Sequence, residues 1–355
     1  MAKGYSVVEL QQLFSNIGRE IKLSSTQVDV VIRSGVVNTR LYKFDAQAIL
    51  RNLSLLLYYA RRENINFVLY DNNLPFLQNN RLDNPLLIES CLLNNCFKLF
   101  LQPVVNEHGV VIRLEVLTRL VLRGEVYLPS SFLPSIQRNH FTEKFDEWVL
   151  NNLIKLLHST FWQEELQQRH YCFAINVSPS SSGFLQHIQN LLHIIQASDL
   201  DLNLIQLEFE ITEEAFIRNE VQNEDVFMEV AKLIHSKNIT LSIDDFGVEG
   251  SSFERLMACN FDVIKIDKSL VLQLLSDGYR GKSSKFIIKS LLGLSVDLEM
   301  DLIVEGVANK EIYMILRQIG CKFFQGYYFF KPLPTEEIES LIQQKRLDRF
   351  DKVSI

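Results

Sequence analysis

Eight times between residues 97 and 329 the chain repeats a short apolar stretch with the period of a strand, and most of the intervals carry apolar residues three and four apart, as a helix does. The strand-like stretches are 97–105, 111–117, 171–177, 205–211, 239–243, 263–266, 302–307 and 323–329; helical ones fall at 148–158, 184–195, 226–236, 286–294 and 310–319. Eight strands alternating with helices over roughly 250 residues fit few architectures other than a (β/α)8 barrel of the TIM type, with its reacting groups at the C-terminal ends of the strands. The first two strands are separated only by Asn106-Glu107-His108-Gly109, a hairpin-length loop, so they should pair antiparallel and make the barrel a modified one.

Ahead of the barrel, helical periodicity at 7–21, a β-branched stretch at 28–37, a helical stretch at 46–63 and a short strand at 66–70 predict a small α+β module over residues 1–75. A linker over 76–86 ends at Pro85, which predicts a helix beginning there; the barrel domain should run from 87 to 345 and a charged tail from 346 to 355. With 355 residues and 47% hydrophobic content, the chain can bury a barrel-sized core beside a smaller unit. A net charge of −7 argues against direct binding to nucleic-acid duplexes through phosphate neutralisation, but leaves room for a phosphate ligand held through metal ions. Cys91, Cys96, Cys172, Cys259 and Cys321 are odd in number and lack metal-ligand spacing, which predicts reduced core thiols. Without a signal peptide or a long uncharged apolar run, the expected setting is the cytoplasm, as a whole protein or as the soluble part of a larger, membrane-anchored one.

Polar residues late in the strands carry the chemistry. Ile239, Leu241 and Ile243 alternate with Thr240 and Ser242, and Asp244 and Asp245 then stand side by side where the strand should stop. Adjacent side chains on a strand point to opposite faces, so two carboxylates converge on one object only at a frayed strand end, and a divalent cation is the object that best offsets their repulsion. Taken alone, Asp-Asp-Phe-Gly also fits a turn in which an Asp caps the next helix and Gly247 supplies positive φ. Other strands deliver Glu115, Asn176, Glu210, Lys265, Glu305 and Gln325 to the same end, and so much buried charge is costly unless it is neutralised. These hard oxygen donors suit Mg²⁺, Mn²⁺ or Ca²⁺, and none of the seven histidines falls at a strand end with this pattern.

In order along the chain, Glu115-Val116-Leu117-Thr118-Arg119, Asn176-Val177-Ser178-Pro179, Glu210-Ile211-Thr212-Glu213, Asp244-Asp245-Phe246-Gly247, Lys265-Ile266-Asp267, Glu305-Gly306-Val307 and Gln325-Gly326-Tyr327 resemble the motif set of EAL domains, the cyclic di-GMP phosphodiesterases. The naming triplet is Glu-Val-Leu here, which keeps the glutamate. The resemblance implies that Glu115, Asn176, Glu210 and Asp244 bind one Mg²⁺ or Mn²⁺, that Asp245 bridges toward a second, and that Lys265 and Glu305 handle the attacking water, with Asp245 assisting. It also assigns Gln102, Arg119, Asp267 and Gln325 to the dinucleotide. Two metals about 4 Å apart would neutralise the phosphodiester and activate water, giving linear pGpG.

Two departures matter. The Glu-Gly-Val motif continues in the family with a second glutamate, where this chain has Ala308; the loop after Asp-Asp-Phe-Gly reads Val248-Glu249-Gly250-Ser251-Ser252, although Glu213, the residue expected to brace it, is present. They keep a second reading open: a weak or inactive EAL regulator, CsrD-like in combining decayed GGDEF and EAL parts, that binds cyclic di-GMP or a regulatory protein partner. The family also implies a homodimer through the barrel. Residues 45–71, with Tyr58-Tyr59-Ala60-Arg61-Arg62-Glu63-Asn64, resemble the closing helix and strand of a GGDEF domain, and Ser34-Gly35-Val36-Val37 resembles the strand before them. No Gly-Gly-Asp-Glu-Phe occurs, so the module is degenerate and no cyclase activity is expected. Tyr279-Arg280-Gly281-Lys282 reads as a short basic surface loop, and 343–355 as the fraying end of a helix.

Overall fold

The computed structural model describes residues 85–122, 124–178, 183–213, 224–247 and 260–347, the stretches 21–23, 26–28, 33–37 and 65–69, and positions 12, 53, 56, 57, 60 and 82. The chain divides into two compact units, Met1–Cys96 with Ser130–Asn139, and Phe97–Pro129 with His140–Ile355.

In the first unit, β1 (Ile21–Leu23) pairs antiparallel with β2 (Thr26–Val28), and β3 (Ser34–Val36) pairs parallel with β4 (Phe67–Leu69). Residues 28–37 therefore do not form one strand, and Ile21 starts a strand rather than ending a helix. The helix at 7–21 and the linker at 76–86 lie almost wholly outside the described residues; within 46–63, Leu53, Leu56, Leu57 and Ala60 are described and are helical. Helix α1 (Pro85–Leu93) starts at the proline that cannot donate to a preceding turn. Helix α2 (Pro129–Arg138), not apparent from the sequence, buries Phe132 and Ile136.

The second unit is a closed barrel of eight strands: β5 (Phe97–Asn106), β6 (Val111–Leu122), β8 (Tyr171–Asn176), β9 (Ile205–Thr212), β10 (Thr240–Phe246), β11 (Val263–Ile266), β12 (Asp301–Val304) and β13 (Phe323–Phe324). β5 runs antiparallel to both its neighbours, β6 and β13, and the remaining contacts between barrel strands are parallel. The four-residue turn explains the reversal: Asn106 Oδ1 accepts from the backbone of His108 and Val110 and so closes the hairpin. Two small strands, β7 (Glu125–Tyr127) beside β6 and β14 (Leu333–Pro334) beside β5, extend the edges. Around the ring lie α3 (Thr142–Leu157), α4 (Thr160–Leu166), α5 (Phe184–Gln196), α6 (Glu224–His235), α7 (Lys268–Leu272), α8 (Tyr279–Asp297), α9 (Lys310–Ile319) and α10 (Thr335–Gln343).

Three local readings are corrected. The basic stretch 279–282 is the first turn of α8, not a loop, because Gly281 packs against the carbonyls of residues 273–276 and the buried positions Gly281, Ser284, Ile288 and Leu291 hold the helical period from there. The run 302–307 stops being strand at Val304, since Gly306 turns the chain at φ +66° directly over Lys268. The run 323–329 stops at Phe324: Tyr328 coils back to stack on Tyr313 at a centroid distance of 5.6 Å and Phe329 meets the same ring edge-on at 5.2 Å. That coil requires Gly326, whose added Cβ would fall 2.3 Å from the Val307 carbonyl oxygen. Gly326→Ala is accordingly expected to cost about 1–3 kcal/mol, read as a fall of several degrees in Tm.

Cys91, Cys172 and Cys321 are buried and Cys96 half-buried, all as free thiols; Cys259 and the loop 248–252 lie outside the described residues, as does the tail beyond Leu347. No helix among the described residues is long and apolar enough to cross a membrane.

Candidate active site

Side-chain alternation stacks the barrel interior in layers. Arg113 and Glu115 on β6, and Glu208 and Glu210 on β9, are each two residues apart and so share the inner face at two depths. The lower layer pairs Arg113 Nε with Glu208 Oε2 at 3.1 Å and Arg113 Nη2 with Asp301 Oδ2 at 2.8 Å. The upper layer is the candidate site.

At its centre stands Lys265, 1% exposed on β11. Its Nζ lies 2.8 Å from Glu210 Oε1, 2.8 Å from Glu305 Oε1, 3.3 Å from Asp244 Oδ1 and 3.8 Å from Glu115 Oε1. Burial works to strip the ammonium of its proton, but the carboxylates of Asp244, Glu115, Glu210 and Glu305 outweigh it and hold the Lys265 pKa well above the usual lysine range. Asn176, the last residue of β8, donates from Nδ2 to Glu115 Oε1 at 3.2 Å and Glu210 Oε2 at 3.1 Å; Gln325 Nε2 donates to Glu115 Oε2 in a short bond. Asn176 lies opposite Glu210 in register, which brings their side chains to one level.

Asp245 occupies the left-handed region at φ +55° and donates its backbone N–H to Asp244 Oδ1 at 2.9 Å. The strand thus continues through both aspartates to Phe246 but bulges there, its register on β11 shifting between Ile243 and Phe246, which lets neighbouring carboxylates serve one end of the barrel as a regular strand would forbid. Glu213 accepts from the Gly247 backbone at 3.0 Å, at the root of the altered loop. Burial raises the Asp245 carboxyl to about 6, helped by Asp244 and Asp267. Glu305, just past β12, is raised to about 8 by burial, against the pull of Lys265. Glu210 is also raised well above the carboxylate range by burial, with Lys265 opposing.

Three oxygens, one each from Glu115, Glu210 and Asp244, lie within 4.8 Å of one another, and so do three from Asp244, Asp245 and Glu305. Asp244, rather than Asp245, is common to the two sets. One ammonium therefore faces four carboxylates, with the exposed Asp245 as a fifth beside them, and such a surplus of oxygen anions at a largely buried site suits hard divalent cations.

The residues assigned to substrate are placed less uniformly. Gln325 joins the cluster. Gln102 Nε2 donates to the Phe330 carbonyl at 3.0 Å and holds the turn after β13. Arg119 stacks over the Phe100 ring at 5.2 Å and donates to the Thr118 carbonyl at 2.7 Å. Asp267 caps α7 by accepting from Ser269 N at 2.8 Å; although burial works the other way, that bond and one from Asp245 hold its pKa down. The segment after Gly247 that an Asp of the Asp-Asp pair would cap lies outside the described residues. Ala308 is exposed. Lys331, whose ammonium lies 5.7 Å from the ring centroid of the exposed Tyr327, carries no spacing signal in the sequence.

The model of the EAL domain matches residues 87–332. The chain belongs to the EAL domain family. The chain is 29% identical over 259 residues to the oxygen sensor protein DosP of Escherichia coli K12, covering 71% of this chain and 30% of that one. Over 326 residues it is 25% identical to the cyclic di-GMP phosphodiesterase NbdA of Pseudomonas aeruginosa, covering 90% and 40%. The chain thus spans well under half the length of these curated relatives. Among solved structures, the EAL enzyme Bd1971 in its cAMP- and cyclic-di-GMP-bound form superposes with a TM-score of 0.63 at 25% identity, covering 85% of this chain and 78% of that one. The FimX EAL domain of Pseudomonas aeruginosa bound to c-di-GMP gives 0.57 at 25% identity, covering 69% and 94%.

Proposed function

We propose that this EAL domain is a metal-dependent phosphodiesterase that opens cyclic di-GMP to linear pGpG. The observation that carries the proposal is the convergence of Glu115, Glu210, Asp244 and Glu305 on the single buried ammonium of Lys265. Glu115, Asn176, Glu210 and Asp244 would hold one Mg²⁺ or Mn²⁺, and Asp244, Asp245 and Glu305 a second. Bound cations would offset the phosphodiester's charge and make a water acidic enough to attack at neutral pH. Lys265 supplies a fixed positive charge where the attacking and leaving oxygens gather negative charge, and four carboxylates keep it protonated there. Glu305, 2.8 Å from the Lys265 ammonium and beside Asp244 and Asp245, would orient the attacking water. Arg119 offers a guanidinium to the dinucleotide, Gln325 fixes the carboxylate of Glu115, and Asp267 orders the strand end beside Asp245.

The second reading, an EAL regulator that binds cyclic di-GMP or a protein partner without turnover, is favoured by the two departures, Ala308 where the motif set has a second glutamate and the loop Val248-Glu249-Gly250-Ser251-Ser252, together with the degenerate leading module. Incubation of the purified protein with cyclic di-GMP and Mn²⁺ or Mg²⁺ separates the two. The expected result is pGpG formation that falls more than about 100-fold in Glu115→Ala, beyond what losing an outer partner of a metal ligand typically costs. Binding without product in the unsubstituted protein would establish the regulator.

A further inference from the structure

Asp146 and His187 are buried charged and polar residues that the chemistry above leaves unused. Asp146, on α3, is 3% exposed, and His187, on α5, is fully buried. His187 Nε2 lies 3.0 Å from Asp146 Oδ2, and the same oxygen accepts the backbone N–H of Ser178 at 3.0 Å. A carboxylate only accepts, so Nε2 carries the hydrogen, and His187 Nδ1 meets no partner among the described residues. A fully buried imidazole with one orphaned nitrogen costs free energy that an apolar side chain of similar size would not. Stability alone does not account for the pair.

Ser178 does. It lies two residues after Asn176, where the chain leaves β8, and on the other side Val177 N donates to the Glu210 carbonyl at 2.8 Å. The strand exit is thus held twice, once by the sheet and once by Asp146, and these two bonds set the direction in which the Asn176 carboxamide leaves the backbone. Its carboxamide faces Glu115 and Glu210 through Nδ2, so a small rotation of the exit would swing the whole group away from the carboxylate cluster; turned over about its last torsion, the same carboxamide presents Oδ1 to a cation held there. We propose that Asp146, held by His187, is a positioning residue that aims Asn176 Oδ1 at the divalent cation. The inference rests on the metal-dependent reading above and adds to it a brace outside the motif set.

Mn²⁺ affinity, measured from the electron paramagnetic resonance of free Mn²⁺, tests it without substrate. Asp146→Ala is expected to weaken Mn²⁺ binding by about 10–100-fold, as loss of an outer-shell partner does. Asp146→Asn should stay within about threefold of the parent, because its carboxamide oxygen can take the place of Oδ2 and accept from both Ser178 N and His187 Nε2. In an Asn176→Ala background, Asp146→Ala should change affinity by less than about threefold, since the two substitutions act through one carboxamide. Asp262→Ala serves as the structural control: Asp262 likewise pairs with a histidine, His235, at 2.9 Å and accepts from the Leu241 backbone, but ahead of β11. That variant should lower Tm and leave Mn²⁺ affinity unchanged.

Parent-like affinity in Asp146→Ala, or an equal loss whether or not Asn176 is present, overturns the positioning role while the metal site stands. A parent protein that takes up no Mn²⁺ overturns the metal reading itself, and this inference with it. If Asp146→Ala does not fold, Asp146→Ser, one bond too short for the Ser178 amide, carries the same expectations and the same power to overturn.

Discussion

Lys265→Met is expected to abolish turnover and to make folding depend on divalent cations. Removing the ammonium leaves Glu115, Glu210, Asp244 and Glu305 facing one another within the barrel, bridged among the described residues by the amides of Asn176 and Gln325. Breaking a buried ion pair by removing one partner costs about 3–5 kcal/mol, because the remaining charge stays out of water. Here four carboxylates share the loss, and they relieve it by binding protons. In metal-free buffer the variant should melt roughly 10 °C below the parent, taking about 2–4 °C per kcal/mol for a domain of this size. Saturating Mn²⁺ should recover more Tm in the variant than in the parent, since a cation that binds only the folded state stabilises it by mass action and meets less competing positive charge in the variant. Turnover should still fall about 10²–10³-fold, the scale of losing one preorganised charge at a reacting oxygen. Thermal melts with and without Mn²⁺ check the first expectation and product formation the second. Equal shifts on adding Mn²⁺ to both proteins would count against the carboxylate cluster as a cation site.

Much of this cluster is legible in the sequence because a strand has a period of two and a barrel has one catalytic end. Glu210 and Asp244 sit late in apolar strands, as Glu115 does in the stretch 111–117 legible as strand although β6 runs on to Leu122, and no partner in the linear sequence explains them. The antiparallel first strand is equally readable, since four residues cannot carry a crossover. What escapes the sequence is set by tertiary contact. Phe323–Phe329 is apolar enough for a strand, but its aromatic rings have a better place on Tyr313, and Gly326 allows the tight turn that takes them there. The basic residues 280 and 282 read as loop because charges and a glycine break the apolar pattern, yet Gly281 is the residue that lets α8 begin against neighbouring carbonyls. Asp146 and His187 lie on amphipathic helices where a polar residue ordinarily faces water, so only the packing of α3 against α5 marks them. Asp267 and Gln102 were legible as polar and well placed, but the sequence does not reveal that one caps a helix and the other holds a carbonyl.

The lower layer of the barrel yields the largest expected effect on stability alone. Glu208 is fully buried, and its Oε2 faces Arg113 Nε at 3.1 Å and accepts from the Cys172 thiol at 3.6 Å. Burial raises the Cys172 thiol well above its usual range, with Glu208 adding to it, so the sulfur stays a neutral donor. Burial acts against the Arg113 guanidinium, but Glu208 and Asp301 more than restore its charge. A guanidinium cannot shed its proton in a protein, so Glu208→Leu leaves a buried cation with Asp301 as its remaining carboxylate, and that side chain is 45% exposed. The expected cost is about 3–5 kcal/mol, or a Tm fall near 10 °C. Arg113→Met should cost a similar amount, because it leaves the Glu208 carboxylate unpaired. Combining the two should recover most of the loss, since a buried pair replaced by apolar side chains of similar volume is often neutral or stabilising. Thermal melts of the two single variants and the double variant give the coupling directly. At a temperature where all of them are folded, cyclic di-GMP hydrolysis should change little, because this layer lies beneath the carboxylates that face Lys265. Simple additivity of the two losses would mean that Arg113 and Glu208 contribute through their separate packing and not through each other.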